Sequence, residues 1–339
     1  MRRIPLRGHP ARLGLLASTA IAVTAAVAVP FAQASSTTRT MATSQAGPAS
    51  QAGPAVQAAG PMQSRAATRA MRGHRGFFRS RCAYSHTAND DPIMFPGQPG
   101  VAMEHDFFGN TSTNAGSTTA SLLAAGTTSC LAPADTAAYW VPALYQNGAK
   151  VTPRLVLAYY RQLGRPNGVV QPMPAGLQMI AGDEKATSAQ PLQVASWGCG
   201  VDVTTDKPVV PPASTPPAAC PSGHHLVLAI NFPDCWDGHT LTGAMQTNVA
   251  YSVRGRCPAG YPVAIPALHL GVQYPISTGT GIELSTGPGQ LGSVFTAHAD
   301  FVNSWTQQVL ERLTASCDDT GRRCGTVGAA NQPLGVRRR

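Results

Sequence analysis

The chain is poor in charged and aromatic residues, which make up 12% and 6% of its 339 residues. So little charge argues against long amphipathic helices, whose exposed faces need many Glu and Lys side chains. The sequence also lacks a Gly-x-Ser-x-Gly motif and a phosphate-binding loop. We therefore expect neither the serine elbow of an α/β-hydrolase nor a nucleotide partner.

Acidic residues are absent from residues 1–81, which contain 11 Arg, and this imbalance accounts for much of the net charge of +9. Residues 82–324 contain 11 basic and all 16 acidic residues, so the body of the chain has a net charge of about −5. Because the positive excess belongs to the flanks, we expect no folded basic face and no nucleic-acid partner. The flanking Arg side chains would instead suit an anionic cell envelope.

The N-terminus has the order of a secretory signal peptide. Four Arg within the first 12 residues precede an uncharged apolar run at 13–31, and Ala32-Gln33-Ala34 is a small-x-small cleavage site. We expect residues 1–34 to be a signal peptide, with an uncleaved membrane anchor as the alternative. Residues 35–75 repeat a Ser-Gln-Ala-Gly-Pro-Ala unit and are predicted to be a disordered spacer. The expected location is therefore secreted, with membrane contact only through the signal peptide.

The eight cysteines form an even set without any Cys-x-x-Cys pair. This pattern argues against a cysteine-based zinc site and favours disulfides in an exported chain. Spacing alone leaves the pairing open. We predict pairs between sequence neighbours, namely Cys82 with Cys130, Cys199 with Cys220, Cys235 with Cys257, and Cys317 with Cys324.

We predict that residues 76–325 form a single globular domain. This domain is expected to be β-rich (mainly β or α+β) and sandwich-like, with a C-terminal helix and disulfides. Residues 326–339 are predicted to be a basic disordered tail. Strand-like runs separated by turn residues lie at Val151–Tyr160, His225–Asn231, Val263–Leu270 and Ser293–Phe295. Two helices are predicted, one at Ser117–Ala125 with Ser117 as N-cap, and one at Ala299–Thr314 with an apolar stripe and Asp300 in its first turn.

Polar residues are concentrated in a Pro- and Gly-rich segment that begins at Asp90 and ends at Asn110. Imidazole and carboxylate groups together suit a divalent cation or a general acid and base. The predicted catalytic residues are His105, Asp106, His298, Asp300 and Asp91, and the predicted ligands of a divalent metal are His105, Asp91 and His298. In the structural alternative, the aspartates cap turns or helices and the histidines satisfy backbone carbonyls.

Aromatic residues in the middle of the chain form a second candidate site. Sugars present apolar C–H faces that stack on such rings, and neighbouring carboxylates bond sugar hydroxyls. The predicted ligand-binding residues are Tyr139, Trp140, Tyr145, Asp234, Trp236 and Asp237. The alternative is that these rings fill the core of a domain that has few other large side chains.

Several sequence blocks stand in a characteristic order along the chain. They are Asp90-Asp91-Pro92-Ile93, His105-Asp106-Phe107-Phe108-Gly109-Asn110, Ala138-Tyr139-Trp140-Val141-Pro142-Ala143-Leu144-Tyr145, Asn231-Phe232-Pro233-Asp234-Cys235-Trp236-Asp237-Gly238 and Ala297-His298-Ala299-Asp300-Phe301. Together they resemble the DUF1996 family, a secreted domain of actinobacteria and filamentous fungi without an established activity. Fungal relatives often carry carbohydrate-binding modules, so the resemblance implies a polysaccharide context. Relatives commonly have a His where this chain has Met103.

The function expected from these features is that of a secreted protein that acts on or binds cell-wall or environmental polysaccharide, with metal assistance from the His/Asp cluster. The alternative is a non-catalytic extracellular protein that binds glycan through aromatic residues or has a structural role in the envelope. These two expectations differ in whether the His/Asp residues converge in a cleft and whether the rings are exposed.

Overall fold

The computed structural model describes residues 76–163, 168–202, 207–244 and 246–334. The predicted signal peptide and spacer, at 1–34 and 35–75, lie outside these ranges. Among the described residues, no helix is long and apolar enough to span a membrane.

Strands account for most of the regular structure. The first ten are β1 (Phe77–Ala88), β2 (His105–Gly109), β3 (Ala138–Pro142), β4 (Leu144–Gln146), β5 (Ala149–Lys150), β6 (Leu155–Arg161), β7 (Gln178–Gly182), β8 (Ala195–Gly198), β9 (Val201–Asp202) and β10 (Lys207–Pro208). They are followed by β11 (Val227–Asn231), β12 (Cys235–Trp236), β13 (Val249–Ala250), β14 (Val263–Ala264), β15 (Ala267–Gln273), β16 (Ile282–Gly287), β17 (Gln290–Gly292), β18 (His298–Val302) and β19 (Arg323–Thr326). The helices are α1 (Thr119–Ala125), α2 (Gln307–Leu313), a 3₁₀ turn (Val294–Thr296) and a π-helical turn (Thr314–Asp318).

One ten-stranded sheet has the order β7-β18-β3-β2-β1-β6-β15-β11-β8, with β19 paired to β1. The 12-residue β1 serves both halves, because its first part pairs with β6 and its last part with β2. A bulge between Tyr84 and His86 marks the change of partner, and bulges bend strands. The sheet thus folds over at β1 towards a barrel, and the predicted β-rich class with a C-terminal helix is confirmed.

A chain of hydrogen bonds crosses the main core between the two halves of the sheet. The Trp305 indole N–H donates to the Tyr160 hydroxyl (2.9 Å), which lies 2.7 Å from the Tyr139 hydroxyl. The Tyr139 hydroxyl lies 3.0 Å from both carboxylate oxygens of Asp135. All four side chains are buried, and a satisfied network of this kind specifies one arrangement of the core.

The neighbouring strands β2, β3 and β18 are buried along their whole length. Side chains alternate between the two faces of a strand. One face of the three strands contributes to the main core with Phe108, Tyr139 and Phe301. The opposite face contributes to a second core, made of Phe107, Trp140, Ile180 and Val302 with Ile93 and Leu122 packed over them.

All four predicted disulfides are confirmed. They join Cys82 to Cys130, Cys199 to Cys220, Cys235 to Cys257, and Cys317 to Cys324. Each bridge closes a local loop of the chain. The Cys317–Cys324 bridge ties the end of the π-helical turn to β19.

Two predicted elements near the C-terminus differ from the structure, one in its extent and one in its type. The predicted helix at 299–314 is split, because residues up to Val302 form β18 and α2 begins only at Gln307. Strand pairing with β3 and β7 on both sides outweighs the helical spacing of the apolar residues. In place of the predicted strand at 293–295 there is the 3₁₀ turn Val294–Thr296, in which the Ser293 hydroxyl accepts a hydrogen bond from the N–H of Phe295.

Residues 326–334, predicted to belong to a disordered tail, are part of the folded domain. Val327 is fully buried and its N–H donates to the carbonyl of Arg79 in β1 (2.9 Å). The side-chain oxygen of Asn331 accepts a hydrogen bond from the N–H of Ala134 (2.9 Å). Composition alone did not reveal these contacts, because they are made mainly by backbone groups.

Asp135 makes the stability of the fold depend on pH. Burial raises the pKa of its carboxyl group from 3.8 to about 7. Between about pH 4 and about pH 7, the native protein keeps a proton that the unfolded chain has lost, so this group lowers the free energy of unfolding as pH rises. We expect Asp135→Asn, which cannot ionise, to gain stability relative to the wild type across this window, by up to about 1.4 kcal/mol per pH unit. Urea unfolding at several pH values measures the difference, and a difference that does not change with pH contradicts the prediction.

Candidate functional site

Two histidines on different strands meet above the strand between them. His105 begins β2 and His298 begins β18, and both strands flank β3. His105 pairs with Pro142 of β3, and the register that pairs Asp300 with Trp140 places His298 level with the same proline. The two outer strands are about 10 Å apart. Their imidazole centroids are nevertheless only 5.7 Å apart, so the two side chains converge over β3.

Each histidine uses its Nδ1 atom to bind the backbone. The Nδ1–H of His105 donates to the carbonyl oxygen of Asp90 (3.0 Å), and that of His298 donates to the carbonyl oxygen of Thr296 (2.8 Å). Because a carbonyl oxygen only accepts, the proton of each neutral ring lies on Nδ1 and the Nε2 atom carries a lone pair. The two Nε2 atoms face each other at 3.5 Å.

Burial keeps both rings neutral at ordinary pH. Burial, with a smaller contribution from His298, lowers the pKa of His105 to about 3. Burial also lowers the pKa of His298, although the Thr296 carbonyl and nearby carboxylates oppose this change. Two neutral rings with facing lone pairs repel each other, and a cation between them converts that repulsion into attraction.

Asp300 completes the cluster from the same face of β18. Its Oδ2 atom lies 3.8 Å from the Nε2 of His298, and the ligand atoms of His105, His298 and Asp300 all lie within 4.8 Å of one another. Among the described residues, none donates a hydrogen bond to either oxygen of this carboxylate, which is 1% exposed. Burial raises its pKa well above 3.8, and the charges of Asp91 and Glu184 add to the effect. A buried carboxylate without a donor is costly unless a cation neutralises it.

The three ligand atoms suit a divalent first-row metal. Two ligands at a tetrahedral angle around zinc are about 3.4 Å apart, close to the 3.5 Å and 3.8 Å separations in this cluster. Metal-binding histidines usually donate their other ring N–H to a carbonyl or carboxylate, as both do here. Two imidazoles and one carboxylate leave a coordination position open, as in catalytic zinc sites. Met103 is not one of these three candidate ligands.

A pocket of about 160 Å³ opens beside His298 and Asp300. Its wall also contains Asp91, Met94, Ile180, Asp183, Glu184, Lys185 and Gln246. Asp91 is buried, and its Oδ1 atom accepts hydrogen bonds from the N–H groups of Ile93 and Met94, both at 2.8 Å. These bonds fix the carboxylate at the wall. Asp300 thus belongs to the group of candidate metal ligands, and Asp91, predicted as a ligand, lies in the pocket beside that group.

Asp183 and Glu184 belong to the pocket and were not predicted from the sequence. They follow β7 directly, at the end of the sheet where β2 and β18 begin. The sequence contained one weak signal, because they form one of only three adjacent acidic pairs in the chain. Their charges raise the pKa of His298, so the two carboxylates make the pocket favourable for a cation.

Gly182 and Gln190 hold this acidic loop against the segment that leads to His298. Gly182 pairs with His298 across the β7–β18 ladder and has a φ of +93°. The Gln190 amide donates to the carbonyls of Phe295 (2.6 Å) and Ala297 (2.8 Å), and its oxygen accepts the N–H of Asp183 (3.0 Å). The loop and the histidine are thus positioned by the same contacts.

The prediction that Asp106 acts beside His105 is wrong. Successive residues of a strand point to opposite faces, so Asp106 lies on the other side of β2. There its Oδ1 accepts a hydrogen bond from the Thr87 hydroxyl (2.6 Å) and lies 4.0 Å from the Lys150 ammonium. Burial raises the pKa of this carboxyl group to about 6. Asp106 belongs to a separate polar cluster.

The prediction that Tyr139 and Trp140 are exposed stacking rings is also wrong. Both are fully buried. Tyr139 lies in the main core within the Asp135 network, and Trp140 packs in the second core with a centroid distance of 5.7 Å to Phe107. The structural alternative holds for both rings.

The other predicted ligand-binding residues lie on or directly beside two different small sheets. Tyr145 is on β4 of the sheet β17-β16-β4-β5 and donates a 2.5 Å hydrogen bond to Glu104. Trp236 is on β12 of the sheet β13-β12-β14, half-buried, and its indole N–H bonds a turn carbonyl. Asp234 and Asp237 accept hydrogen bonds from backbone N–H groups of nearby turns. These four residues therefore have structural contacts and form no common aromatic platform.

Comparison with protein families gave one match, to a model described as a domain of unknown function (DUF1996), over residues 91–305. This range contains all three residues of the His/Asp cluster and both strands that carry them. Comparison with curated proteins and with solved structures gave no match.

Gly182 is expected to be required for the position of His298. A Cβ atom at residue 182 would lie 2.5 Å from the carbonyl oxygen of Ala297 and 2.8 Å from the Cα of His298. Gly182→Ala should therefore cost more than the roughly 1–2 kcal/mol that a left-handed backbone imposes on alanine alone. Gly97→Ala is the matched control, because its φ is +72° and a Cβ there meets nothing within 4 Å. Equal losses of unfolding free energy in the two variants would contradict the prediction.

Proposed function

The chain belongs to the DUF1996 family, whose description names no activity, and we propose that it is an extracellular, metal-dependent protein that acts on cell-wall or environmental polysaccharide. In this proposal a divalent transition metal is bound by His105, His298 and Asp300. The observation that carries it is the pair of facing Nε2 atoms beside a buried carboxylate that has no hydrogen-bond donor among the described residues. The facing lone pairs and the buried carboxylate raise the free energy of the metal-free protein, and a cation bound between them would lower it.

The chemistry follows from the open coordination position. A divalent metal held by His105, His298 and Asp300 would supply Lewis-acid chemistry, lowering the pKa of a bound water towards neutrality and polarising a substrate oxygen. Asp91 lines the same pocket, with Oδ1 fixed by two backbone N–H groups. In this proposal the Asp91 carboxylate, which lines the same pocket as His298 and Asp300, would act as the general base.

The extracellular part of the proposal is supported by four disulfides, which persist in oxidising compartments. The polysaccharide part is supported by the family resemblance, since fungal relatives often carry carbohydrate-binding modules. The alternative, a non-catalytic glycan-binding or structural envelope protein, loses its main argument because Tyr139 and Trp140 are buried. The metal-dependent function is accordingly preferred.

The purified protein is expected to bind one divalent metal ion per chain. His105→Ala and His298→Ala should each weaken binding by more than about 100-fold, because removing a ligand costs more than the 10–100-fold lost on removing a supporting hydrogen bond. His239→Ala is the matched control, since the His239 side chain is 78% exposed. Metal analysis after dialysis and titration calorimetry measure the effect. Equal binding by all four proteins, or binding by none, would contradict the proposal.

Asp300→Asn is expected to have opposite effects with and without metal. In metal-free protein at neutral pH it should raise the free energy of unfolding by about 1–3 kcal/mol, because an amide cannot ionise, whereas burial opposes the ionisation of the Asp300 carboxyl group by raising its pKa. With saturating metal the wild type should become the more stable protein, because bound metal stabilises the native state by mass action. Thermal unfolding with chelator and with metal measures both differences. An Asn variant that is less stable under both conditions would assign Asp300 a structural role.

A further inference from the structure

The proposed metal centre, formed by His105, His298 and Asp300, is accessible only to a small chemical group. His298 and Asp300 are 3% and 1% exposed, and the pocket that reaches them has a volume of about 160 Å³. Pockets that enclose whole drug-sized ligands have volumes of roughly 300–1,000 Å³. A sugar chain therefore cannot place a bond between two of its rings at the centre without displacing the walls, whereas a substituent that projects from the chain can enter.

A second hollow extends the pocket along the surface. It has a volume of about 300 Å³ and shares Ile180, Asp183 and Gln246 with the first. Its other walls include Gln190, Pro233 and Tyr251. The two hollows share one wall, and the second is both larger and more open than the first. This arrangement suits a chain lying in the outer hollow and a side group pointing into the inner one.

The chemistry of the proposed metal centre also favours cleavage of a substituent over cleavage of a glycosidic bond in the polysaccharide backbone. Hydrolysis of a glycosidic bond usually requires two carboxyl groups on either side of that bond, one of them a proton donor. Here Asp300 faces the two histidines, and Asp91 has one oxygen fixed by the backbone. A metal centre instead polarises a carbonyl oxygen, and a glycosidic acetal has no carbonyl group.

We propose that the bond cleaved is the carbonyl carbon–oxygen or carbon–nitrogen bond of an acetyl-sized acyl substituent on a neutral polysaccharide. This inference rests on the proposed metal site. Water oxygen forms a bond to the acyl carbon, the bond from that carbon to the sugar oxygen or nitrogen breaks, and a proton passes to the leaving sugar atom. The products are a free carboxylic acid and a deacylated sugar, and no oxidant or reductant is needed.

The charge of the rim favours a neutral chain over an anionic one. Asp91, Asp183 and Glu184 line the pocket, and the single lysine there, Lys185, lies 3.5 Å from Glu184. Polysaccharides rich in uronic acid or phosphate would be repelled by these carboxylates. The same carboxylates attract the metal ion.

The test uses metal-loaded mature protein with O-acetylated xylan and with N-acetylglucosamine oligomers, and measures released acetate and new reducing ends. Acetate from either probe without new reducing ends is the expected result. New reducing ends without acetate, or neither product from protein that holds its metal, would overturn the acyl assignment while leaving the metal site intact. Protein that binds no metal would overturn the proposed function itself.

A variant at the mouth of the pocket tests the route of the substituent separately from the metal. Gln246 is exposed and lines both hollows. Gln246→Trp is expected to lower acetate release from the polymer at least about 10-fold, equivalent to about 1.4 kcal/mol, while metal affinity stays the same. Gln290→Trp is the control, at an exposed glutamine on β17. Unchanged acetate release by the Gln246 variant would overturn the proposed route into the pocket.

Discussion

The architecture depends on three adjacent strands, β2, β3 and β18, that are buried on both faces. Such strands need partners on both edges and cover on both faces, which the main core supplies on one side and the second core on the other. Their register cannot slip by one residue, because a slip would exchange the contents of the two cores. The same constraint fixes His105 and His298 on the second-core face, level with Pro142 on the strand between them.

The cluster of His105, His298 and Asp300 lowers the stability of the metal-free native state. Burying Asp300 without a donor and pointing two imidazole lone pairs at each other both raise the free energy of the metal-free native state. The surrounding structure sustains this cost because His105 and His298 are each anchored by a backbone carbonyl and by strand pairing. Local departures of this kind from satisfied packing are characteristic of functional sites.

The residue types that form the candidate site could be predicted from the sequence, but their arrangement in space could not. His105 and Asp106 are adjacent in the chain, yet strand periodicity puts them on opposite faces, and a strand at 105–109 had not been predicted. The apolar spacing of 299–314 predicts a helix with Asp300 in its first turn, whereas pairing of β18 with two neighbouring strands makes Asp300 a strand residue. Glu184 carried almost no local signal. Its role arises from long-range strand order, which composition and spacing do not encode.

Most of the contacts that hold the domain together lie outside the His105, His298 and Asp300 cluster. Four disulfides, the Asp135 network and two apolar cores hold the described residues together through contacts that exclude His105, His298 and Asp300. A structural metal ordinarily has four protein ligands in a closed site and contributes directly to folding. Here the group has three candidate ligands and a pocket opens beside two of them. A cluster that is open on one side and lies outside the main packing contacts fits the proposed role of binding a second molecule better than that of a structural metal site.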